Sequence, residues 1–250
     1  MKKFTNVRDS CFADRIGALI DLTVTEKNAL ARLEERPREL RRGATLLREN
    51  DPLSELYILQ RGMAMSYVLL DDGSRQILRF LFPGDMLAIA ALIYRDSPET
   101  IVTLTDCTVC AFDRSIIGAL VTDHPRLSAL VMVLNQIEKV ALTDRLAALG
   151  RTPAKARVAA LLLEIRNRMR MTDTTIGNAF ALKLTQEEVG DATGLTAVHV
   201  NRMLRQLEDE GLIARENGRV TLLNEAQLAR SANYINRFDG LDLRWLPASR

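Results

Sequence analysis

The stretch LTQEEVGDATGLTAVHVNRMLRQLEDEGLI, Leu184 to Ile213, decides how this chain is read. Thr185 followed three residues later by Glu188 is a capping box, which satisfies two orphan N–H donors and starts a short helix. Val189 and Ala192 are its inward positions, and Gly194 ends it by taking the positive φ that a tight turn needs. Thr196 then caps a second helix, whose Val200, Met203, Leu204 and Leu207 fall at three- and four-residue steps on one face. Gly190 stands where the two helices would cross. Two short helices joined through a glycine turn match the helix-turn-helix layout.

The side chains left on the outer face of the second helix are Ala197, Val198, His199, Asn201, Arg202 and Arg205. In this layout that face enters the major groove of double-stranded DNA. Ala197, Val198 and Arg202 are the expected base contacts, because arginine donates two bonds to guanine and small apolar groups meet the thymine methyl. Thr185, Gln186, Thr196, Asn201 and Arg205 are the expected phosphate contacts, which set register without reading sequence. Downstream, Ile213-Ala214-Arg215 and Arg219 to Leu222 flank Asn217-Gly218, a hairpin placed as a wing. The alternative is a helical hairpin in an enzyme's accessory domain; cap, turn glycine, apolar spacing and wing agree on the DNA reading.

Upstream the pattern changes twice. From Gly43 to Arg114, short apolar runs (Leu56 to Leu59, Met63 to Leu70, Ile77 to Phe82) alternate with turn residues, which predicts an all-β roll or sandwich. Asp72-Gly73 is its strongest hairpin signal. From Pro125, Leu127, Leu130, Leu134, Ile137 and Ala141 recur three and four apart, the seam of a coiled coil, and are the expected interface of a homodimer. A single amphipathic helix packed on its own domain is the other reading of that spacing. The expected organisation is therefore α+β: a β-roll sensory domain over 1–124 with N-terminal helices, a dimerisation helix over 125–150, and a winged helix-turn-helix with a C-terminal tail over 151–250.

The whole chain, 250 residues with 34 Lys+Arg and 32 Asp+Glu, carries a formal charge of only +2. Divided after residue 150, the first part holds 19 basic and 20 acidic side chains and the second 15 and 12. The basic excess thus lies with the helix-turn-helix, and Arg151, Lys155, Arg157, Arg166, Arg168 and Arg170 form a basic run, by itself no more than a solvated face. Aromatic residues at 5% are too sparse for stacking on single strands to be the main activity. Three cysteines (Cys11, Cys107, Cys110) fit no disulfide framework and suit a reducing cytoplasm. Asn6, Arg8, Asp9 and Ser10 interrupt any signal segment after Met1-Lys2-Lys3, and no run reaches the ~18 apolar residues of a membrane helix. No membrane partner is expected.

Taken together, Gly43, Leu46, Asp51, Tyr57, Gly62, Gly73 and Pro83-Gly84-Asp85, followed by the long helix and the winged segment, resemble the Crp/Fnr family of bacterial transcription regulators. Thr196 to Arg202, TAVHVNR, resembles one branch of it, and His199 matches a position that usually touches the DNA backbone. The resemblance implies a cyclic-nucleotide-binding-like roll, a homodimer on two-fold symmetric operators, and contact with RNA polymerase. Departures limit it. Where the cyclic-AMP receptors hold ribose and cyclic phosphate, this chain has Ala88-Ile89-Ala90 and Glu99-Thr100, so loss of cyclic-nucleotide binding is expected. Where they read DNA with an Arg-Glu pair, it has Ala197-Val198, so their operator does not transfer. The oxygen-sensing branch needs four cysteines for an iron–sulfur cluster, and only Cys11 lies near the N-terminus here.

The expected function is a sequence-specific DNA-binding regulator with an unidentified effector. The alternative is a ligand- or redox-sensing protein that switches through Cys107-Thr-Val-Cys110 or an unknown effector in the roll. Against the redox reading, residues three apart on a strand point to opposite faces. No catalytic residue, metal site or cofactor is expected. The roll contains no histidine, since His124 follows it and His199 lies in the recognition helix, and neither a P-loop nor a GxGxxG motif is present.

Overall fold

The computed structural model describes residues 10–248. Met1-Lys2-Lys3, Asn6, Arg8 and Asp9, on which the expectation of no signal segment rests, lie outside the described residues. Two helices come first, α1 (Cys11–Gly17) and α2 (Val24–Ala31), then the strands β1 (Pro37–Leu40), β2 (Thr45–Leu47), β3 (Glu55–Arg61) and β4 (Ala64–Leu69). The strands β5 (Arg75–Leu81), β6 (Met86–Leu87), β7 (Thr100–Thr103) and β8 (Cys107–Asp113) complete the β-roll. Three helices follow, α3 (Arg114–Asp123), α4 (Pro125–Arg151) and α5 (Ala154–Thr172). The winged portion is β9 (Ala179–Ala181), α6 (Gln186–Thr193), α7 (Ala197–Asp209), β10 (Ile213–Glu216), β11 (Arg219–Leu222) and α8 (Glu225–Ala232). The chain divides into two compact units. One runs up to Ala64, takes in Leu81–Asn135 and resumes at Asp242; the other joins Met65–Phe80 to Gln136–Leu241.

In the first unit, β3 and β8 are the core strands of an antiparallel sheet ordered β1-β8-β3-β6, with Tyr57 opposite Ala111 and Ile58 opposite Cys110. Leu56 to Leu59 and Cys107 to Phe112 are buried without alternation, because both faces of these strands are covered. A continuous apolar run of this length is what a doubly covered strand requires. Glu34, itself buried, accepts bonds from the Ser10 hydroxyl (2.6 Å) and the Phe12 N–H (3.0 Å) and so pins the start of α1. Two ion pairs between charged side chains close the unit: Arg15 with Asp85, and Arg126 with Glu26.

Of the row expected as a dimer seam, the leucines are covered by this chain itself and Ala141 is half-buried. Leu127, Leu130 and Leu134 belong to the same core cluster as Leu56 and Phe112, with Leu127 and Leu130 at 0% exposure. Ile137 is buried as well, and Ala141 lines a cavity of the second unit. Spacing of three and four defines an apolar face but not what covers it, and here the chain's own sheet and helices do. The large apolar side chains left outside on α4 are Met132, Leu142 and Leu146.

In the second unit, the β4–β5 hairpin turns where Asp72-Gly73 predicts, with the Leu70 N–H bonded to the Ser74 carbonyl at 2.8 Å. Two bonds from Ser74 hold the Asp72 carboxyl below the usual range. The helix α5 buries Val158, Leu161, Leu162 and Ile165, the i, i+3, i+4, i+7 row of an amphipathic helix. A three-stranded sheet ordered β10-β11-β9 places Val220 opposite Phe180, both buried. The basic run is not one solvated face. Arg166 and Arg168 are buried and paired, with Glu225 and Glu138 respectively, because arginines two apart on a helix cannot all face water.

Leu130→Ala is expected to destabilise the protein by about 2–5 kcal/mol, the cost of emptying a closed core site. Urea unfolding measures it; a loss below about 0.5 kcal/mol would place Leu130 outside the core.

Candidate nucleic-acid interface

The helix α6 starts as its capping box requires. The Glu188 N–H donates to Thr185 Oγ1 at 3.1 Å, and the Thr185 N–H donates to the Glu188 carboxylate at 2.7 Å. Its end is Gly194, in the left-handed region at φ +65°. Between them, Gly190 faces the Leu195 carbonyl so closely that a Cβ at that position would overlap it. Only hydrogen fits, so the chain leaving α6 lies directly against it. Thr196 then caps α7, its hydroxyl accepting the His199 N–H at 3.3 Å.

The helix α7 divides by face. Val200, Met203, Leu204 and Leu207 are buried, while Val198 is 81% exposed and His199, Arg202 and Arg205 are exposed. Ala197 and Asn201 are half-buried at the edges of that outer face. Val198, Arg202 and Arg205 form an i, i+4, i+7 stripe. His199 Nε2 contacts the Arg202 guanidinium; arginine can only donate, so the ring nitrogen accepts. Thr185, Gln186 and Thr196 are exposed at the two helix starts. Glu187 and Glu188 also occupy the first turn of α6 and complement its dipole, which weakens that end as a phosphate site.

The wing is the predicted hairpin. Asn217 (φ +49°) and Gly218 (φ +73°) both take positive φ, as the two-residue turn between twisted strands demands. Arg215 on β10 pairs with Glu208 on α7 at 2.6 Å, and its hydrogen bond holds the Glu208 carboxyl below the usual range. Arg219 donates to the Ala179 carbonyl of β9 at 3.0 Å. Sequence spacing missed one partner of the interface. Arg75 on β5 pairs with Asp191 of α6 at 2.7 Å, and the Gln76 amide donates to the Asp191 carbonyl at 2.8 Å. More than a hundred residues separate these groups, and no local pattern signals the contact.

The chemistry proposed as an alternative switch is placed unfavourably. Cys107 and Cys110 are fully buried and free. Burial pushes both thiols up, Cys110 to about 11 with help from Glu34 and Glu39, so they are protonated at neutral pH. Among the described residues, no group of three or more His, Cys, Asp or Glu side chains is arranged to hold a metal ion. Among them, too, no helix is long and apolar enough to cross a membrane.

Residues 37–124 match the model of the cyclic nucleotide-binding domain, and residues 156–231 match the Crp-like helix-turn-helix domain. The nitrogen fixation regulation protein FixK of Bradyrhizobium diazoefficiens is 31% identical over 187 residues, 74% of this chain and 77% of that protein. The chain belongs to the Crp/Fnr family of transcription regulators. The fumarate and nitrate reduction regulatory protein of Vibrio cholerae is 25% identical over 222 residues, covering 89% of this chain and 88% of its own length. The solved structure of FixK2 from Bradyrhizobium japonicum superposes with a TM-score of 0.70 at 26% identity, over 78% of this chain and 95% of that one. This Crp/Fnr regulator is a DNA-binding protein, and α6 and α7 lie within its matched helix-turn-helix domain.

Gly190→Ala separates two opposing effects. Alanine in a helix gains roughly 0.5–1 kcal/mol over glycine, whereas the overlap with the Leu195 carbonyl costs about 1–3 kcal/mol. A net loss of stability on thermal or urea unfolding, with weakened DNA binding, is expected; a stabilised variant would show that the helices do not meet at this point.

Proposed function

We propose that this regulator binds DNA as a homodimer, with α7 of each copy in the major groove of one half-site. The observation that carries the reading is the outer face of α7, where an 81%-exposed Val198 stands beside Arg202. An exposed valine costs hydration in free protein and is suited to a thymine methyl, while Arg202 is suited to a guanine edge. In this reading Ala197, Val198 and Arg202 face bases. Thr185, Gln186, Thr196, Asn201 and Arg205 meet phosphates, and His199 supports the Arg202 guanidinium from the neighbouring turn.

The dimer face is proposed on the outer side of α4, at Met132, Leu142 and Leu146, because the leucine row on its other side is already covered. Residues 1–124 are proposed as the sensory domain, 125–150 as the dimerisation helix and 151–250 as the DNA-binding part. RNA polymerase is the proposed partner on DNA and the cytoplasm the proposed location. Loss of cyclic-nucleotide binding is supported by Ala88, a buried alanine in the left-handed region, and by Thr100, whose hydroxyl accepts the Glu49 N–H.

Arg202→Ala is expected to cost about 1–3 kcal/mol on a selected operator and to relax specificity at one base pair. Gel shifts on cognate and random DNA check this; equal affinity of variant and wild type for both would remove Arg202 from the reading role. Leu142→Glu with Leu146→Glu is expected to yield monomers by sedimentation equilibrium while leaving the circular dichroism melt of the folded chain in place. Dimers that persist in that variant would move the interface elsewhere.

A further inference from the structure

The second unit has a partly open cavity of about 250 Å³ between the end of α4, α5, the end of α6 and the segment following α8. Short side chains make the space: Ala147 and Ala148 on α4, Ala160 on α5 and Ala192 on α6. Ile235 and Phe238 supply an apolar wall. That wall lies beyond residue 231, where the match to the helix-turn-helix domain ends.

Four arginines line the cavity, and three of them are neutralised. Arg145 pairs with Glu164, Arg168 with Glu138, and Arg237 makes two bonds to Asp144 at 2.6 and 2.8 Å. Arg157 is the exception. Among the described residues its guanidinium makes no ion pair or side-chain hydrogen bond, and its Nε is buried with no partner. The side chain is half-buried, and its Nε is the buried donor left without a partner, a costly state. The carboxylates on the wall, Asp144 and Glu164, are taken up by Arg237 and Arg145, so the Arg157 charge beside the alanines is complementary to a monoanion with a hydrocarbon body.

We propose that this cavity is a binding site for a small organic carboxylate, held by Arg157 through charge-assisted hydrogen bonds. A phosphate dianion suits it less, since it would bring a second charge without a partner and no apolar body for Ile235 and Phe238 to cover. The site adjoins the reading element. Arg157 and Leu149 both approach Gly194, the turn between α6 and α7, and Ala192 and Thr193 of α6 form part of the wall. Occupancy therefore acts on the placement of α7, an effect that rests on the DNA-binding function above.

The test uses the full-length protein and four probes: butyrate, benzoate, phenylacetate and inorganic phosphate, with benzamide as the uncharged counterpart of benzoate. Calorimetry is expected to show saturable binding of one carboxylate per chain, with benzamide about tenfold or more weaker. Arg157→Gln is expected to lose at least about tenfold in affinity, and Ala160→Leu, which fills the space, to abolish binding. Both variants are checked for an unchanged far-ultraviolet spectrum, and the second keeps the proposal falsifiable should the first fail to fold. No saturable carboxylate binding up to ~10 mM, equal binding of benzamide or phosphate, or binding unaffected by Ala160→Leu would overturn the site. Gel shifts with and without the bound carboxylate read the second arm. Carboxylate binding in a protein that fails to bind DNA would sustain the site and sink only the DNA-binding reading.

Discussion

The contact of Gly190 with the Leu195 carbonyl is the constraint on which the DNA-reading surface depends. Because no side chain intervenes, α7 must start where α6 ends, and its roll about its own axis follows from what it can bury. Val200, Met203, Leu204 and Leu207 turn inward, and Val198, Arg202 and Arg205 are thereby turned outward. The capping groups Thr185 and Thr196 satisfy the helix starts locally, so neither helix needs an outside partner to begin. The wing is then fastened to the same helix through Arg215 and Glu208. A single missing Cβ thus lets the start of α7 lie directly against α6.

A second theme of the unit is ionic. Arg166 and Arg168 are drawn inside and matched by Glu225 and Glu138, and Arg145 and Arg237 are matched by Glu164 and Asp144. For the buried Arg166 and Arg168 such pairs stabilise little on balance against apolar replacements, but they are strongly selective about geometry, since breaking one leaves a charge out of water; the Arg237–Asp144 pair is more exposed and weaker. Arg75 and Asp191 extend the same logic, tying the β4–β5 hairpin to the first helix of the reading element. The helix α6 is consequently held from two sides, by its crossing with α7 and by the hairpin.

Local signals were legible wherever the physics is local. The capping box at Thr185, the turn at Asn217-Gly218 and the hairpin at Asp72-Gly73 each depend on residues within a few positions, and each stands where the spacing places it. The inward row of α7 was legible for the same reason. The row of Leu127, Leu130 and Leu134 shows the limit: periodicity reports that a face is covered, and the cover turned out to be the chain's own core. Arg166 and Arg168 read as part of a charged surface because their carboxylate partners lie on other elements. The grip of Arg75 on Asp191 and the cavity around Arg157 had no sequence signature, since both arise where distant segments meet.

The internal matching of arginines has a consequence for how the regulator finds its sites. Attraction to arbitrary duplex grows with the number of phosphates that free cations can neutralise. Here Arg166, Arg168 and Arg237 of the second unit are paired with its own carboxylates, while Arg202 and Arg205 stand exposed on the outer face of α7. Arginines held in this way are less available to neutralise phosphates than their number in the sequence suggests. The salt dependence of DNA binding then follows the exposed cations rather than the total of Lys and Arg.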